Sequence, residues 1–232
     1  EAGQFIELAR NPAYSGSPPR IERIVIKFVP DAVTLVAQLE AGEIDLLESV
    51  QPDDLVGIRA KRDDVQFLET PSRRMSFVAW NETRAPFETA AVRLAMTMGI
   101  NRAAIIFSVW GGRARECTSP IVPLLWAHDA SIKAVKYDPK AARSALGKLG
   151  FQDSDRDGVL DRNGKPFEFE LLVNDAQNRV NIATMIQAQL KRVGVKVNVR
   201  VMEYAAYIDR ILAMDYDAAV VEWKVQTKVD LT

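Results

Sequence analysis

An α/β fold is what this sequence predicts, and three observations carry the prediction. Strand-like and helix-like runs alternate through the last hundred residues. The helical runs are punctuated as helices should be, with Asp138 and Pro139 opening one of them and Gly150 closing it. The segment "VKVNVRVM" sets Val195, Val197, Val199 and Val201 on one face and Lys196, Asn198 and Arg200 on the other, the period of a half-buried strand. Strands at 167–173, 195–202 and 216–223 with helices at 180–193 and 204–213 make two successive strand-helix-strand units. Such units imply right-handed crossovers and neighbouring parallel strands.

The earlier elements follow from the same signals. "QFIELAR" and "RIERIVIKFV" read as strands flanking a Pro- and Gly-rich loop. Asp31 is the N-cap of a helix over 32–41 that Gly42 stops. "EIDLLESV" reads as a short strand, and "QPDDLVGIRA" opens a second helix with Pro52 in its first turn. A strand at 74–81 leads to a helix over 88–98. Asn101 then caps another helix, ending at Gly111 and Gly112, whose apolar content predicts that it is mostly buried. The stretch from Arg113 to Tyr137 has no period, and a loop of that length usually serves function or lies over a surface. In the helix that follows residue 180, Ile182, Ile186, Leu190 and Val193 share one face.

Composition narrows the function. The 232 residues carry 30 basic and 31 acidic side chains, so nothing draws the chain toward phosphate backbones, and a nucleic-acid partner is not expected. Neither phosphate-binding glycine motif occurs, and no Gly-x-Ser-x-Gly elbow accompanies the single His128. The single Cys117 has no partner for an internal disulfide. Paired acids such as Asp53 with Asp54 and Asp63 with Asp64 stand at helix starts and turns, where solvated, dipole-compensating carboxylates are ordinary. These absences leave a histidine-based hydrolase and a nucleotide-binding role without support, and a binding role is one class to weigh. A carboxylate-based α/β hydrolase and a calcium-stabilised interaction module are the alternatives from other classes.

The segment "DSDRDGVLDRNG" places Asp153, Asp155 and Asp157 at alternate positions ahead of Gly158, with Asp161 at the ninth position, as a calcium loop would. Gly164 stands at the twelfth position, where such a loop needs a bidentate Glu, and a strand follows it instead of a helix. A solvated turn is the competing reading. The aromatic residues offer a second lead. Trp80, Trp110, Trp126 and Trp223 fall at element ends or in a loop, where large rings can be delivered to a recognition cleft. Core packing is the alternative, most of all for Trp110.

Taken in order, several segments resemble the family 5 extracellular solute-binding proteins, the periplasmic peptide- and nickel-binding components of ABC importers. These are "LARNPAY", "RIVIKFVPDAVTLVAQLEAGEIDLLESVQPDDL", "FVAWNETRAPFETAAVRLAMTMGINRAAIIFSVWGG", "YDPKAARSALGKLGF", "DSDRDGVLDRNGKPFEFELL", "IATMIQAQLKRVGVKVNV" and "YDAAVVEW". The resemblance implies a two-lobed periplasmic binding protein-like (type II) fold hinged around a ligand. It assigns residues 1–72 to the later portion of lobe I, 73–223 to lobe II and 224–232 to the start of the return segment. The fold is then incomplete, part of lobe I plus most of lobe II, and the opening without Met reads as an excised piece.

The resemblance further implies capture of a solute, foremost short peptides held as an added strand, for an ABC permease in the membrane. A nickel chelate, an opine-like compound or a sugar are the alternative solutes. The protein is expected to be monomeric and periplasmic or extracellular, with a lipoprotein anchor conceivable upstream. Residue by residue, Trp223 matches the family's cleft tryptophan. Ala79, Trp80 and Asn81 match the aromatic strand bordering the ligand, Ser119 matches a segment entering the cleft, and Trp126 is a further candidate. Arg93 matches too, as a structural residue. Peptide-binding members often carry an Asp three residues after the tryptophan, where this chain has Gln226; a neutral amide lacks the charge-assisted bond that an ammonium prefers. No cofactor is expected, apart from an incidental calcium ion at the acidic turn.

Overall fold

The structure is a computed structural model that describes residues 3–48 and 50–225. The chain divides into two compact units between Leu68 and Glu69.

In the first unit, β1 (Phe5–Ala9) pairs antiparallel with β2 (Arg23–Lys27), and α1 (Ala32–Ala41) and α2 (Pro52–Lys61) follow. Asp31 caps α1 by accepting from the Thr34 N–H at 2.7 Å, and Gly42 ends it in the left-handed region at φ 74°. The expected strand at 43–50 does not form among the described residues. Its apolar residues find no neighbouring strand to complete a ladder, and Leu46 is exposed. Phe5, Ile6, Leu8, Ile24 and Ile26 of the hairpin are also exposed within this unit.

The second unit is built on a four-stranded sheet ordered β3-β8-β6-β7: β3 (Arg74–Trp80), β8 (Ala218–Lys224), β6 (Glu168–Asn174) and β7 (Lys196–Met202). Strands β8, β6 and β7 are mutually parallel, whereas β3 runs antiparallel to β8. One crossover, α6 (Gln177–Lys191), joins β6 to its neighbour β7. The other, α7 (Tyr204–Leu212), carries the chain from β7 past β6 to β8, so β7 and β8 are not neighbours as two adjacent crossovers would have made them. Right-handed crossovers that advance in opposite directions place their helices on opposite faces.

The two faces have separate cores. On one, α3 (Ala90–Gly99), α4 (Arg102–Trp110), α5 (Pro139–Lys148) and α6 bury Phe87, Val92, Met96, Leu146, Ile186 and Leu190 against Phe169, Leu171, Val173, Val197 and Val220. On the other, Tyr207 and Tyr216 cover Leu172, Ala219 and Val221. Val197 is buried and Val199 packs beside it, but Val201 at the far end of the valine stripe is 49% exposed. Helix α4 is less buried than its composition predicted. Ile105 and Val109 face the core while Phe107 is 75% exposed, because only one side of the helix meets the neighbouring helices.

The long segment after α4 is irregular, and Arg102 clamps it by donating to the Glu116 carboxylate and to the carbonyls of Val135 and Thr97. Val122 and Leu125 from this segment pack with Met75 of β3. The short pair β4 (Asp161–Arg162) and β5 (Lys165–Pro166) closes the acidic turn before β6.

Two consequences can be measured. The buried Asn81 donates to the carbonyls of Met214 at 3.0 Å and Tyr216 at 2.8 Å, and accepts from the Thr83 N–H and hydroxyl. Asn81→Ala strands those groups and should lower unfolding free energy in urea by about 3 kcal/mol. Burial raises the Tyr207 hydroxyl, which donates to the Val220 carbonyl, from 10.0 to about 12. A pKa raised on folding contributes stability in full below the unfolded value, and that contribution is lost as pH climbs through the folded one. Stability should therefore fall between about pH 10 and about pH 12, and Tyr207→Phe should remove this component of the fall.

Candidate functional site at the open end of the sheet

The two ends of the parallel strands are not alike. At the amino ends an ion-pair network closes the sheet. Arg84 meets Asp215 at 2.9 Å and Asp217 at 3.3 Å, Arg210 meets Glu170 at 2.8 Å, and Asp217 accepts from the Glu170 N–H at 3.0 Å. The Asp215 carboxyl lies below its usual range because Arg84 hydrogen-bonds it. Open α/β sheets bind ligands outside the carboxyl ends of their strands. There the ladder between β8 and β6 is short. β8 pairs with β6 only at Leu171↔Ala218 and Leu172↔Ala219, yet β8 continues to Lys224, supported on its other side by β3.

The hydrogen-bonding direction along β8 is fixed by the bonds at its ends. The Asn81 N–H donates to the Asp217 carbonyl at 2.9 Å and the Val225 N–H to the Arg73 carbonyl at 2.9 Å. Odd-numbered residues of β8 therefore turn their backbone groups toward β3, and even-numbered ones turn away. The Val220 carbonyl is taken by Tyr207, which leaves the N–H and C=O of Glu222 and Lys224 directed past the end of β6, a strand edge without a partner among the described residues.

Side chains complete this end of the sheet. Trp223 is 56% exposed and meets Phe77 edge-on with ring centroids 4.7 Å apart. On the opposite face Glu222 meets Arg74 at 3.3 Å, the Ser76 hydroxyl at 3.4 Å and Arg179 at 3.8 Å. Arg179, in the first turn of α6, donates to the Asn174 amide oxygen at 2.7 Å. Asn174, Arg179 and Glu222 were not singled out from the sequence. The available signal was positional, since Asn174 and Glu222 stand at the carboxyl ends of parallel strands and Arg179 opens the following helix.

The residues that sequence reasoning named are distributed differently. Trp80 packs on Phe87 and Phe169 with centroids 4.8 and 5.8 Å apart, and Ala79 packs on the opposite core. Asn81 spends its amide on the protein, as described above, and holds the turn after β3. The Ser119 hydroxyl serves its own turn, bonded to the backbone of Ile121, and Trp126 is 87% exposed in the loop. Arg93 donates to the carbonyls of Phe87 and Glu88, consistent with a structural role. Gln226 lies outside the described residues.

The acidic turn brings carboxylate oxygens of Asp153, Asp155 and Asp157 within 4.8 Å of one another, a set that could chelate a divalent cation. Asp161 is not part of that group, because it accepts from the Ser154 N–H and hydroxyl.

None of this forms a catalytic constellation among the described residues. His128 Nδ1 is bonded to the Ile121 carbonyl at 2.9 Å. Burial raises the Cys117 thiol, which keeps it protonated and poorly nucleophilic. The carboxyls whose pKa moves, Asp31, Asp64, Asp129 and Asp215, are all lowered by hydrogen bonds from Thr34, Arg62, Ser131 and Arg84. None is poised as a general acid.

This end of the sheet thus combines a strand edge that continues past β6 with an exposed tryptophan. The chain belongs to the bacterial extracellular solute-binding proteins, family 5, whose middle region matches residues 1–230. It is 30% identical to the oligopeptide-binding protein AppA of Bacillus subtilis over 98% of this chain and 42% of AppA. It is 29% identical to heme-binding protein A of Haemophilus influenzae over 95% of this chain and 39% of that protein. The AppA structure in complex with a nonapeptide superposes with a TM-score of 0.83 and covers 99% of this chain and 46% of AppA. NikA of Brucella suis, in complex with Fe(III)-EDTA, superposes at 0.86 with 23% identity, over 95% of this chain and 45% of NikA, and so speaks to the fold alone. The chain thus spans less than half the length of these relatives.

The geometry distinguishes the tryptophans by experiment. If the exposed Trp223 is a ligand anchor, Trp223→Ala in the complete protein should weaken solute binding by about tenfold or more. Trp126→Ala should leave retention within about twofold, both read by isothermal titration with the recovered solute.

Proposed function

We propose that this chain supplies part of the binding apparatus of an extracytoplasmic solute receptor. It captures short peptides and passes them to an ABC-type import permease. The observation that carries the reading is the tip of β8, where Glu222 and Lys224 present backbone groups that are unpaired among the described residues, beside Trp223. An extended peptide satisfies such an edge with main-chain hydrogen bonds, which are the same for every sequence, and leaves side chains to secondary pockets. That is the chemistry of a receptor for many peptides, and the relative AppA is known in complex with a nonapeptide.

In this reading the unit up to Leu68 belongs to the first lobe and the unit from Glu69 to the second. Solute stabilises the closed arrangement of the whole protein by its differential affinity for it. The receptor works as a monomer in the periplasm or at the cell surface, where an N-terminal lipid anchor would hold it near its permease. No chemistry on the solute is involved. Asp153, Asp155 and Asp157 hold a calcium ion incidentally, as a turn-stabilising ion and not as part of recognition. Gln226 replaces a carboxylate suited to a peptide ammonium, which favours ligands whose amino end is not the main anchor.

The test is to release the solute carried by the natural protein and identify it by mass spectrometry. A family of short peptides is the expected result. A single non-peptide metabolite, such as a metal chelate or an opine-like compound, would overturn the peptide reading.

A further inference from the structure

The Arg179–Glu222 pair is incompletely made. The Arg179 side chain is only 17% exposed, yet its one hydrogen bond runs from Nη1 to Asn174. Its Nε is buried without a partner, and its Nη2 stands 3.8 Å from the Glu222 carboxylate, beyond hydrogen-bonding distance. Nε and Nη2 share one edge of the guanidinium, the edge that grips a carboxylate through two parallel hydrogen bonds. Asn174 fixes the other edge, so the group is oriented but underused. Its position adds to the imbalance. Arg179 lies in the first turn of α6, whose N-cap is Ala176 with no capping side chain, so a cation sits at the positive end of a helix. Glu222, in contrast, has two other partners in Arg74 and Ser76, and can give up Arg179 without being stranded.

We propose that Arg179 is a specificity-determining residue that takes a carboxylate of the solute on its Nε and Nη2 edge, with Glu222 withdrawing toward Arg74 and Ser76. This inference rests on the peptide reading and sharpens it. A peptide lying along the backbone of Glu222 and Lys224 passes the end of β6, where Asn174 and Arg179 stand, and its terminal carboxylate is the group that fits there. Selectivity for an anionic end would then complement the neutral Gln226. Bringing the charge into a largely desolvated site makes the pairing strong and the discrimination against a neutral end large.

The experiment uses the complete natural protein freed of its solute, and two libraries of short peptides lacking Asp and Glu, one with free and one with amidated C-termini. Retention after equilibrium dialysis is read by mass spectrometry. The wild type should prefer the free acids by about tenfold or more, and Arg179→Gln should abolish the preference while still retaining amidated peptides. Arg179→Lys, which keeps charge but not the two-pronged edge, should restore the preference in part. A melting curve checks that each variant is folded; should Arg179→Gln fail to fold, Arg179→Lys and the wild-type preference decide. Equal retention of both libraries by the wild type, or a preference that survives Arg179→Gln, overturns the role of Arg179 and leaves the peptide reading standing. If neither library is retained, the peptide reading falls. The role of Arg179 then survives only if the recovered solute is an anion whose retention Arg179→Gln abolishes.

Discussion

The antiparallel pairing of β3 with β8 is the constraint on which the second unit depends. It joins residues 138 to 150 positions apart, from Trp80↔Ala218 to Arg74↔Lys224. Without it, β8 would end with its short parallel contact to β6. With it, the last residues of β8 are held straight beyond the end of β6, and a strand edge that would otherwise fray becomes a fixed surface. Asn81 locks the start of this ladder from within, and Val225 extends it at the other end. The sheet is thus supported on the β3 side of β8 and, among the described residues, left open on the other.

The crossovers decide what surrounds that edge. Since α6 and α7 lie on opposite faces, each face of the sheet has its own core, and the strand ends rise between them. Tyr207 reaches from α7 to the Val220 carbonyl and marks where pairing with the protein ends. Trp223 and Glu222 then fall on opposite faces simply because they are consecutive in a strand. The same alternation that gives one face an aromatic surface gives the other a charged one. The amino ends of the strands, closed by Arg84, Arg210 and their carboxylates, offer no comparable opening. The exposed Arg84–Asp215 pair contributes little stability by itself. The effect of these pairs is to occupy the polar groups at that end.

Much of the fold was legible in the chain because its signals are local. Asp31, Asn101 and Asp138 cap helices as their positions predict, and Ile182, Ile186 and Leu190 form the buried face of α6 with buried Val193 just past its end. What was not legible depends on distant partners. Residues 43–50 have strand composition, but among the described residues no neighbouring strand completes them. The apolar α4 shows Phe107 to solvent because burial is set by what packs against a helix, not by its composition alone. Strand order escaped for the same reason, since local pattern does not say that β8 lies on the far side of β6. The candidate site was partly legible. Trp223 was named through its place in a recognised segment and stands exposed at the end of β8, whereas Arg179 and Glu222, distant in sequence, carried no signal until the sheet brought them together.

The most direct measurement of the central claim is amide hydrogen exchange on the complete protein, with and without its recovered solute. If the solute is held as an added strand on the tip of β8, the amides of Glu222 and Lys224 become protected while those of Ser76 and Val78, on the outer edge of β3, exchange as before. Saturating solute with unchanged exchange at Glu222 and Lys224 would contradict the account.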